Sequence, residues 1–369
     1  MDIKKKARLL TFYLPQYHPI PENDTWWGKG FTEWTNVTKA KPLFPGHYQP
    51  RLPADLGFYD LRVPETRIAQ AEIAREYGIE GFCYWHYWFG NGKRILERPF
   101  NEVLKSGEPN FPFCLAWAND SWTGIWYGSP NTTLIQQLYP GKEDYEAHFN
   151  SVLPAFTDDR YIKVDGKPLF VVFKPDQLPN KREFTDYWRE LADKAGLPGI
   201  YFVGIVMNEN WDHKSDGFDG FTSQAPSENL RRIPKPLISK ILYKMVGKDL
   251  QEILRENFSI PRIYEYSEVI KYAFPKVPPQ SNFLPSVLPN WDNTPRSQAN
   301  GVVYKDSTPE LFRNHLRDAL NLVATKPDQE KLIFVKSWNE WAEGNYLEPD
   351  REFGKSYLEV VKSEVFSDN

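Results

Sequence analysis

Eight short, strongly apolar runs punctuate this chain, and segments of helical period separate most of them. The runs span residues 8–13, 79–87, 113–118, 168–173, 200–206, 218–222, 284–290 and 332–337. Each has the length of a strand, and most are apolar on successive residues rather than on alternate ones. A strand buried on both faces reads that way, which points to a parallel sheet covered by helices. Between the runs, residues 64–77 carry Ile68, Ala71, Ala74 and Tyr77 at three-residue spacing and stop at Gly78. Thr308-Pro309 has the form of an N-cap followed by proline at the first helical position. The helix after it sets Leu311, Phe312, His315, Leu316, Ala319 and Leu320 largely on one face. Further helices are expected at 143–155, 183–195 and 355–364. Eight such strands alternating with helices predict an α/β fold closed into a (β/α)₈ TIM barrel. An open, doubly wound sheet is the competing architecture, but no glycine-rich dinucleotide turn follows the first strand.

Two connections are too long to be simple. Residues 15–63 follow the first strand and are dense in proline, glycine and aromatics. Residues 223–281 follow the sixth, and the stretch 237–258 within them has helical character. Loops after barrel strands stand on the catalytic face, so both are expected to wall a cleft. The expected organisation is one catalytic barrel over 1–369, with 223–283 inserted into it. A length of 369 residues suits a barrel whose loops carry insertions.

A formal net charge of −4 supplies no basic field for nucleic acid or anionic lipid, so nucleic acid is excluded as a partner. No stretch approaches the ~20 apolar residues of a membrane span, so no membrane insertion is expected. The apolar run 9–14 is short and no cleavage-site pattern follows it, so it reads as a strand and not as a secretory leader. Cys83 and Cys114 each fall in a predicted buried strand and read as reduced core thiols. A cytoplasmic location follows as the expectation.

The residues that bear chemistry gather at strand ends. The last run leads into Trp338, Asn339, Glu340, Trp341, Ala342 and Glu343. Carboxylates at the C-terminal end of a barrel strand stand where catalysis is expected. Glycosidic cleavage needs two of them, one to protonate the leaving oxygen and one to assist. Glu340 and Glu343 are the candidate catalytic pair, set against the simpler reading of solvated loop acids. Other strand ends offer rings alternating with short hydrogen-bonding side chains, which is the surface a sugar requires. These are Tyr13 on the first strand, Trp85 and His86 on the second, and Trp291 and Asn293 after the seventh. The third contributes Trp117, Asn119, Asp120 and Trp122, followed by Trp126. Together with Trp338, Asn339 and Trp341 they are candidate substrate-binding residues; core packing would account for isolated tryptophans but not for the alternation. Glu33 is a possible third carboxylate, although a residue of this kind more often fixes a loop. His-x-His, His-Glu-x-x-His, Cys-x-x-Cys, phosphate-loop and Asp-x-Asp patterns are absent, so no metal and no cofactor are expected.

The run Trp338-Asn-Glu-Trp-Ala-Glu-Gly344, ending in Leu347-Glu348-Pro349, resembles the signature of the WbsX-like proteins and of glycoside hydrolase family 99. Phe12-Tyr-Leu-Pro-Gln-Tyr-His-Pro19, Phe31-Thr-Glu-Trp-Thr-Asn36 and Ala116-Trp-Ala-Asn-Asp-Ser-Trp122 resemble the WbsX-like branch in particular. The resemblance implies a (β/α)₈ barrel and a glycosidase-type site. Family 99 enzymes are retaining endo-acting α-mannosidases that use the substrate's own 2-hydroxyl through a 1,2-anhydro sugar. By that likeness Glu340 matches the residue that deprotonates the 2-hydroxyl. Glu343 matches the general acid that later activates water. Ala342 stands where family 99 usually has histidine, so mannan specificity does not carry over. The leading expectation is a retaining glycoside hydrolase acting on a polysaccharide or oligosaccharide. WbsX-like proteins are commonly labelled glycosyltransferases of surface-polysaccharide biosynthesis, which makes transfer or transglycosylation the alternative. A non-catalytic carbohydrate-binding barrel is the third reading, and recognition alone does not require the strand-eight carboxylates.

Overall fold

The computed structural model describes residues 5–124, 129–208, 210–275 and 282–366. Its core is a parallel sheet of eight strands: β1 (Arg8–Tyr13), β2 (Gly81–His86), β3 (Phe113–Trp117) and β4 (Lys167–Val172), then β5 (Tyr201–Val206), β6 (Gly220–Ser223), β7 (Ser286–Val287) and β8 (Leu332–Val335). The spatial order is β7-β8-β1-β2-β3-β4-β5-β6. A parallel bridge from Phe221 in β6 to Phe283, just ahead of β7, brings the two ends of the sheet together. The result is a nearly closed (β/α)₈ TIM barrel.

The strands are mostly apolar because alternate side chains fill the barrel while the others meet the helices. Phe12 of β1 stacks on Trp85 of β2 at 4.9 Å and on Phe334 of β8 at 5.3 Å. Cys83 and Cys114 face each other in register on β2 and β3 as buried free thiols. β7 is far shorter than the apolar run 284–290 that announces it. Pro285 and Pro289 bracket its two residues and have no N–H for a ladder, which confines the pairing.

Around the barrel lie α1 (Pro64–Glu76), α2 (Arg98–Ser106), α3 (Lys142–Phe156) and α4 (Lys181–Lys194). After β6 come α5 (Leu237–Val246) and α6 (Leu250–Phe258), and the last two are α7 (Pro309–Val323) and α8 (Ser356–Val365). The Thr308 side chain caps α7 by accepting from the Leu311 N–H, with Pro309 at the first position. Gly78, at φ 88°, closes α1 in a conformation that other residues reach only with strain. Among the described residues, the connection from β5 to β6 forms no helix.

Residues 15–63 fold over the open end of the barrel, forming short helices at Pro21–Trp27 and Glu33–Lys39. The Trp34 indole donates to the Tyr59 carbonyl at 2.8 Å, and Leu61 N–H donates to the Tyr17 carbonyl at 3.1 Å. These bonds fix the segment against the strand ends.

Candidate active site

β8 ends at Val335, and the chain then makes a small hairpin in which Asn339–Glu340 pairs antiparallel with Asn345–Tyr346. A 3-10 turn over Trp341–Glu343 and Gly344 at φ 59° close it. The hairpin is tied to the end of β1. Leu14 N–H donates to Asn339 Oδ1 at 2.8 Å, and Asn339 Nδ2 returns to the Leu14 carbonyl at 3.0 Å. Trp341 lies flat on Tyr346, ring centroids 3.8 Å apart, and donates its indole N–H to Glu348 at 2.6 Å. Glu348 also accepts from Tyr59 Oη at 2.8 Å and Gln70 Nε2 at 2.6 Å. Burial still pushes its carboxyl up to about 7, against those three donors. Gly344 is required: a Cβ there would sit 2.8 Å from the Asp292 Cβ and 2.9 Å from its backbone nitrogen.

Asp292, after β7, locks the facing wall. It accepts from Gln49 Nε2 at 2.7 Å and Thr294 Oγ1 at 2.6 Å, and its Oδ2 lies 2.8 Å from His47 Nε2. Its own N–H donates to the Glu343 carbonyl at 2.6 Å, so the seventh and eighth strand ends are joined directly.

A cavity of ≈ 360 Å³ opens at this end of the barrel. Glu340, Glu343, Lys336 and Arg296 line it together with the rings of Trp85, Tyr87, Trp122 and Phe173. Leu14, Gln16, Trp27, Ala118, Asp120, Ser121 and Thr123 complete the lining. Arg296 comes from the four-residue helix Thr294–Ser297 and is the charge centre of the site. Its Nε lies 3.1 Å from Glu33 Oε2, and its Nη1 lies 2.7 Å from Glu343 Oε1 and 3.6 Å from Glu340 Oε1. Burial alone would lower the guanidinium pKa, but Glu33, Glu343 and Glu340 outweigh it and hold Arg296 protonated.

Three carboxylates around one cation are costly to keep ionised together in a shielded place. Glu343 takes up the strain. Burial first, and the neighbouring Glu340 second, push its carboxyl up to about 7, while Arg296 and Lys336 pull the other way. Its side chain keeps 15% of its exposure, directed to the cavity it lines. Glu340 accepts from Ser337 Oγ at 3.0 Å. Lys336 sits over the Trp291 ring with its ammonium 5.0 Å from the centroid.

Of the residues expected at the site, Glu340, Glu343, Trp85, Asp120 and Trp122 meet at this cavity. Asp120 pairs with Lys174 at the rim. Nine others stand behind the wall, engaged by the protein itself. Tyr13 donates to Gln70 at 2.7 Å, and Trp117 donates to the Trp88 carbonyl at 2.9 Å. Asn119 clamps the Lys174 backbone at N–H and carbonyl, and Asn293 Oδ1 accepts from Val302 N–H. His86 is buried with its Nε2 2.8 Å from His148 Nε2, and burial pushes its pKa down to about 3. Trp338, Asn339 and Trp341 are fully buried, and Trp291 is covered by Lys336. Trp126 lies outside the described residues. Arg296, Lys336 and Phe173 also line the cavity and were not anticipated. Arg296 follows the Trp291–Thr294 cluster by two residues, and that adjacency was the signal available. Among the described residues no group of three His, Cys, Asp or Glu is placed to hold a metal ion.

A (β/α)₈ barrel with neighbouring carboxylates at the mouth of its eighth strand defines the class of this protein. The same fold occurs in a solved glycoside hydrolase-like protein, with TM-score 0.59 and 14% identity over 100% of this chain and 96% of that one. It also occurs in the GH99 endo-alpha-mannosidase of Bacteroides thetaiotaomicron, with TM-score 0.57 and 15% identity over 98% and 96%. The chain belongs to the family described as Glycosyltransferase WbsX, whose model matches residues 9–361. Two relatives, each the uncharacterized protein WxcX of a strain of Xanthomonas campestris pv. campestris, are 36% and 37% identical over 357 residues. That is 96% of this chain, which spans about half (49%) of the length of those relatives.

Proposed function

We propose that this chain is a carbohydrate-active enzyme that cleaves a glycosidic bond with retention, using Glu343 as acid/base and Glu340 as base. The observation that carries the proposal is geometric: Glu340 and Glu343 both face one cavity and both approach the same nitrogen of Arg296. In the first step Glu343 gives its proton to the leaving oxygen. Glu340 takes the proton of the sugar's 2-hydroxyl, whose oxygen attacks C1 as the bond to the leaving group breaks. The product is a 1,2-anhydro sugar, with Glu343 ionised and Glu340 protonated. Glu343 then removes a proton from water, the oxygen attacks C1, the three-membered ring opens, and Glu340 returns its proton to O2. Arg296 remains charged throughout and stabilises Glu343 when it is ionised. Trp85 and Trp122 offer ring faces against which a sugar can pack.

This chemistry requires a 2-hydroxyl trans to the leaving group, on a polysaccharide or oligosaccharide. The family description favours a second reading, in which an acceptor hydroxyl replaces water and the reaction is transfer. The proposal includes one catalytic barrel over 1–369 with 223–283 inserted, acting in the cytoplasm. The reduced pair Cys83 and Cys114 supports that compartment.

Defined oligosaccharides, offered with and without nucleotide sugars, test both readings. Release of a reducing sugar of retained configuration is expected, and product formed only with a nucleotide sugar would favour transfer. A 2-deoxy substrate processed at a rate comparable to its parent would exclude the 1,2-anhydro route.

A further inference from the structure

The segment from 229 to 248, which leaves the barrel after β6, contains Arg231, Arg232, Lys235, Lys240, Lys244 and Lys248 and no acidic residue. The formal net charge of −4 conceals this island, because it averages over the whole chain. The same segment holds α5, which hides almost none of itself. Leu237 is 73% exposed, Met245 75% and Ile238 52%, and Ile241, Tyr243 and Val246 are exposed with them. Ser239 is the buried residue of this helix.

A turn of about 100° per residue groups these side chains. Leu237, Ile241, Met245 and Ile238 form one outward arc, and Lys240 and Lys244 lie directly beside it. A helix that docks on its own barrel turns its apolar arc inward and its lysines outward. Here both point away from the protein together, which is the arrangement of a helix that lies in a lipid headgroup layer. Lys235 pairs with Asp249, Lys248 with Glu256 and Arg232 with Glu228, at 3.1, 2.5 and 3.8 Å. Lys240 and Lys244 have no ion-pair partner among the described residues. Phe258, 68% exposed at the end of α6, adds a ring to the same excursion.

We infer that α5 docks this protein on an anionic membrane surface, with Leu237, Ile241 and Met245 entering the headgroup layer and Lys240 and Lys244 meeting lipid phosphates. Charge complementarity selects this occupant: a second copy would bring lysines against lysines. Among the described residues no helix is long and apolar enough to cross a membrane. The segment departs from the end of the barrel that holds the carboxylates, and the Ala225 carbonyl at its base lies 3.5 Å from the Lys336 ammonium that lines the cavity. The base of the docking segment and the cavity mouth therefore belong to one end of the barrel.

Co-sedimentation with vesicles tests this directly. The intact chain should sediment with vesicles of equal parts phosphatidylglycerol and phosphatidylcholine, should stay in solution with phosphatidylcholine alone, and should be released by salt. Replacing both lysines, Lys240→Gln with Lys244→Gln, should weaken partitioning about 30-fold, at ~1 kcal/mol per lysine near the surface. Ile241→Asn should weaken it as well, and Lys105→Gln, on the remote helix α2, should not. Absence of binding to anionic vesicles, equal binding to neutral ones, or an equal effect of Lys105→Gln would overturn the proposal. Concentration-dependent dimerisation that Ile241→Asn abolishes, without vesicle binding, would assign the face to a second copy instead.

Discussion

Arg296 holds three acidic side chains with one charge, and each of those acids answers to it differently. Glu33 is fully buried against Nε, whereas Glu340 and Glu343 share Nη1 and look into the cavity. If Glu340 assists the 2-hydroxyl, Glu340→Gln removes the base and should cost ~10²–10⁴-fold in kcat/KM on every substrate. Glu343→Gln should cost as much on ordinary substrates but largely spare the first step on a glycosyl fluoride, whose leaving group needs no proton. Single-turnover rates separate the two cases. The proton on Glu343 also fixes the pH profile. A carboxyl raised to about 7 donates below that pH and loses its proton above it, so activity should fall as pH rises through about 7. Arg296→Met removes the opposing cation and should move that alkaline limb upward, in a variant first checked for folding by circular dichroism. A purely structural arginine would lower activity without moving the limb.

At the scale of the element, the hairpin after β8 is positioned by residues that look like ligands in the sequence and act as struts in the fold. Asn339 grips the Leu14 backbone, and Trp341 is pinned between Tyr346 and Glu348. Their rings and amides are what keep the two carboxylates at the mouth. Gly344 is the tightest point of the hairpin. Gly344→Ala combines a left-handed backbone with a Cβ driven into Asp292, and should cost ~1–3 kcal/mol of stability, read by denaturant unfolding. Because the Glu343 carbonyl accepts from the Asp292 N–H, the displacement should also reduce turnover at temperatures where the variant remains folded. Wild-type turnover by a folded Gly344→Ala protein would mean that the hairpin does not set the position of Glu343.

For the whole molecule, two buried carboxyls couple stability to pH. Glu343 and Glu348 are each raised from 4.5 to about 7 in the folded chain. Between those values the folded state binds more protons than the unfolded state, so unfolding free energy falls as pH rises. The melting temperature should therefore decline from about pH 5 to about pH 8, and Glu348→Gln, which keeps donors and acceptors without the charge, should flatten the decline. An unchanged slope in that variant would show that Glu348 does not carry it.

The barrel was legible because its cause is local and repeated: every doubly buried strand must be apolar on successive residues, and every covering helix must show its period. The strands expected at 8–13 and 113–118 appear as Arg8–Tyr13 and Phe113–Trp117, and the helix expected after Thr308 begins where its cap requires. The segment Trp338–Glu343 marked the mouth for a similar reason, since acidic residues at the end of an apolar strand are conspicuous in one dimension. Tertiary structure decided the division of labour inside that mouth. Whether an aromatic ring lines the cavity, as Trp85 does, or stands behind it, as Trp117 does, depends on what packs across from it. Arg296 and Glu33 are 263 positions apart and form one charge cluster only when the barrel closes. The electrostatics of Glu343 come from the adjacent Glu340 and Lys336 but also from burial and from the distant Arg296 and Glu33, and these last are not a property of its own stretch of sequence. Periodicity is written along the chain, but desolvation and charge balance exist only between its distant parts.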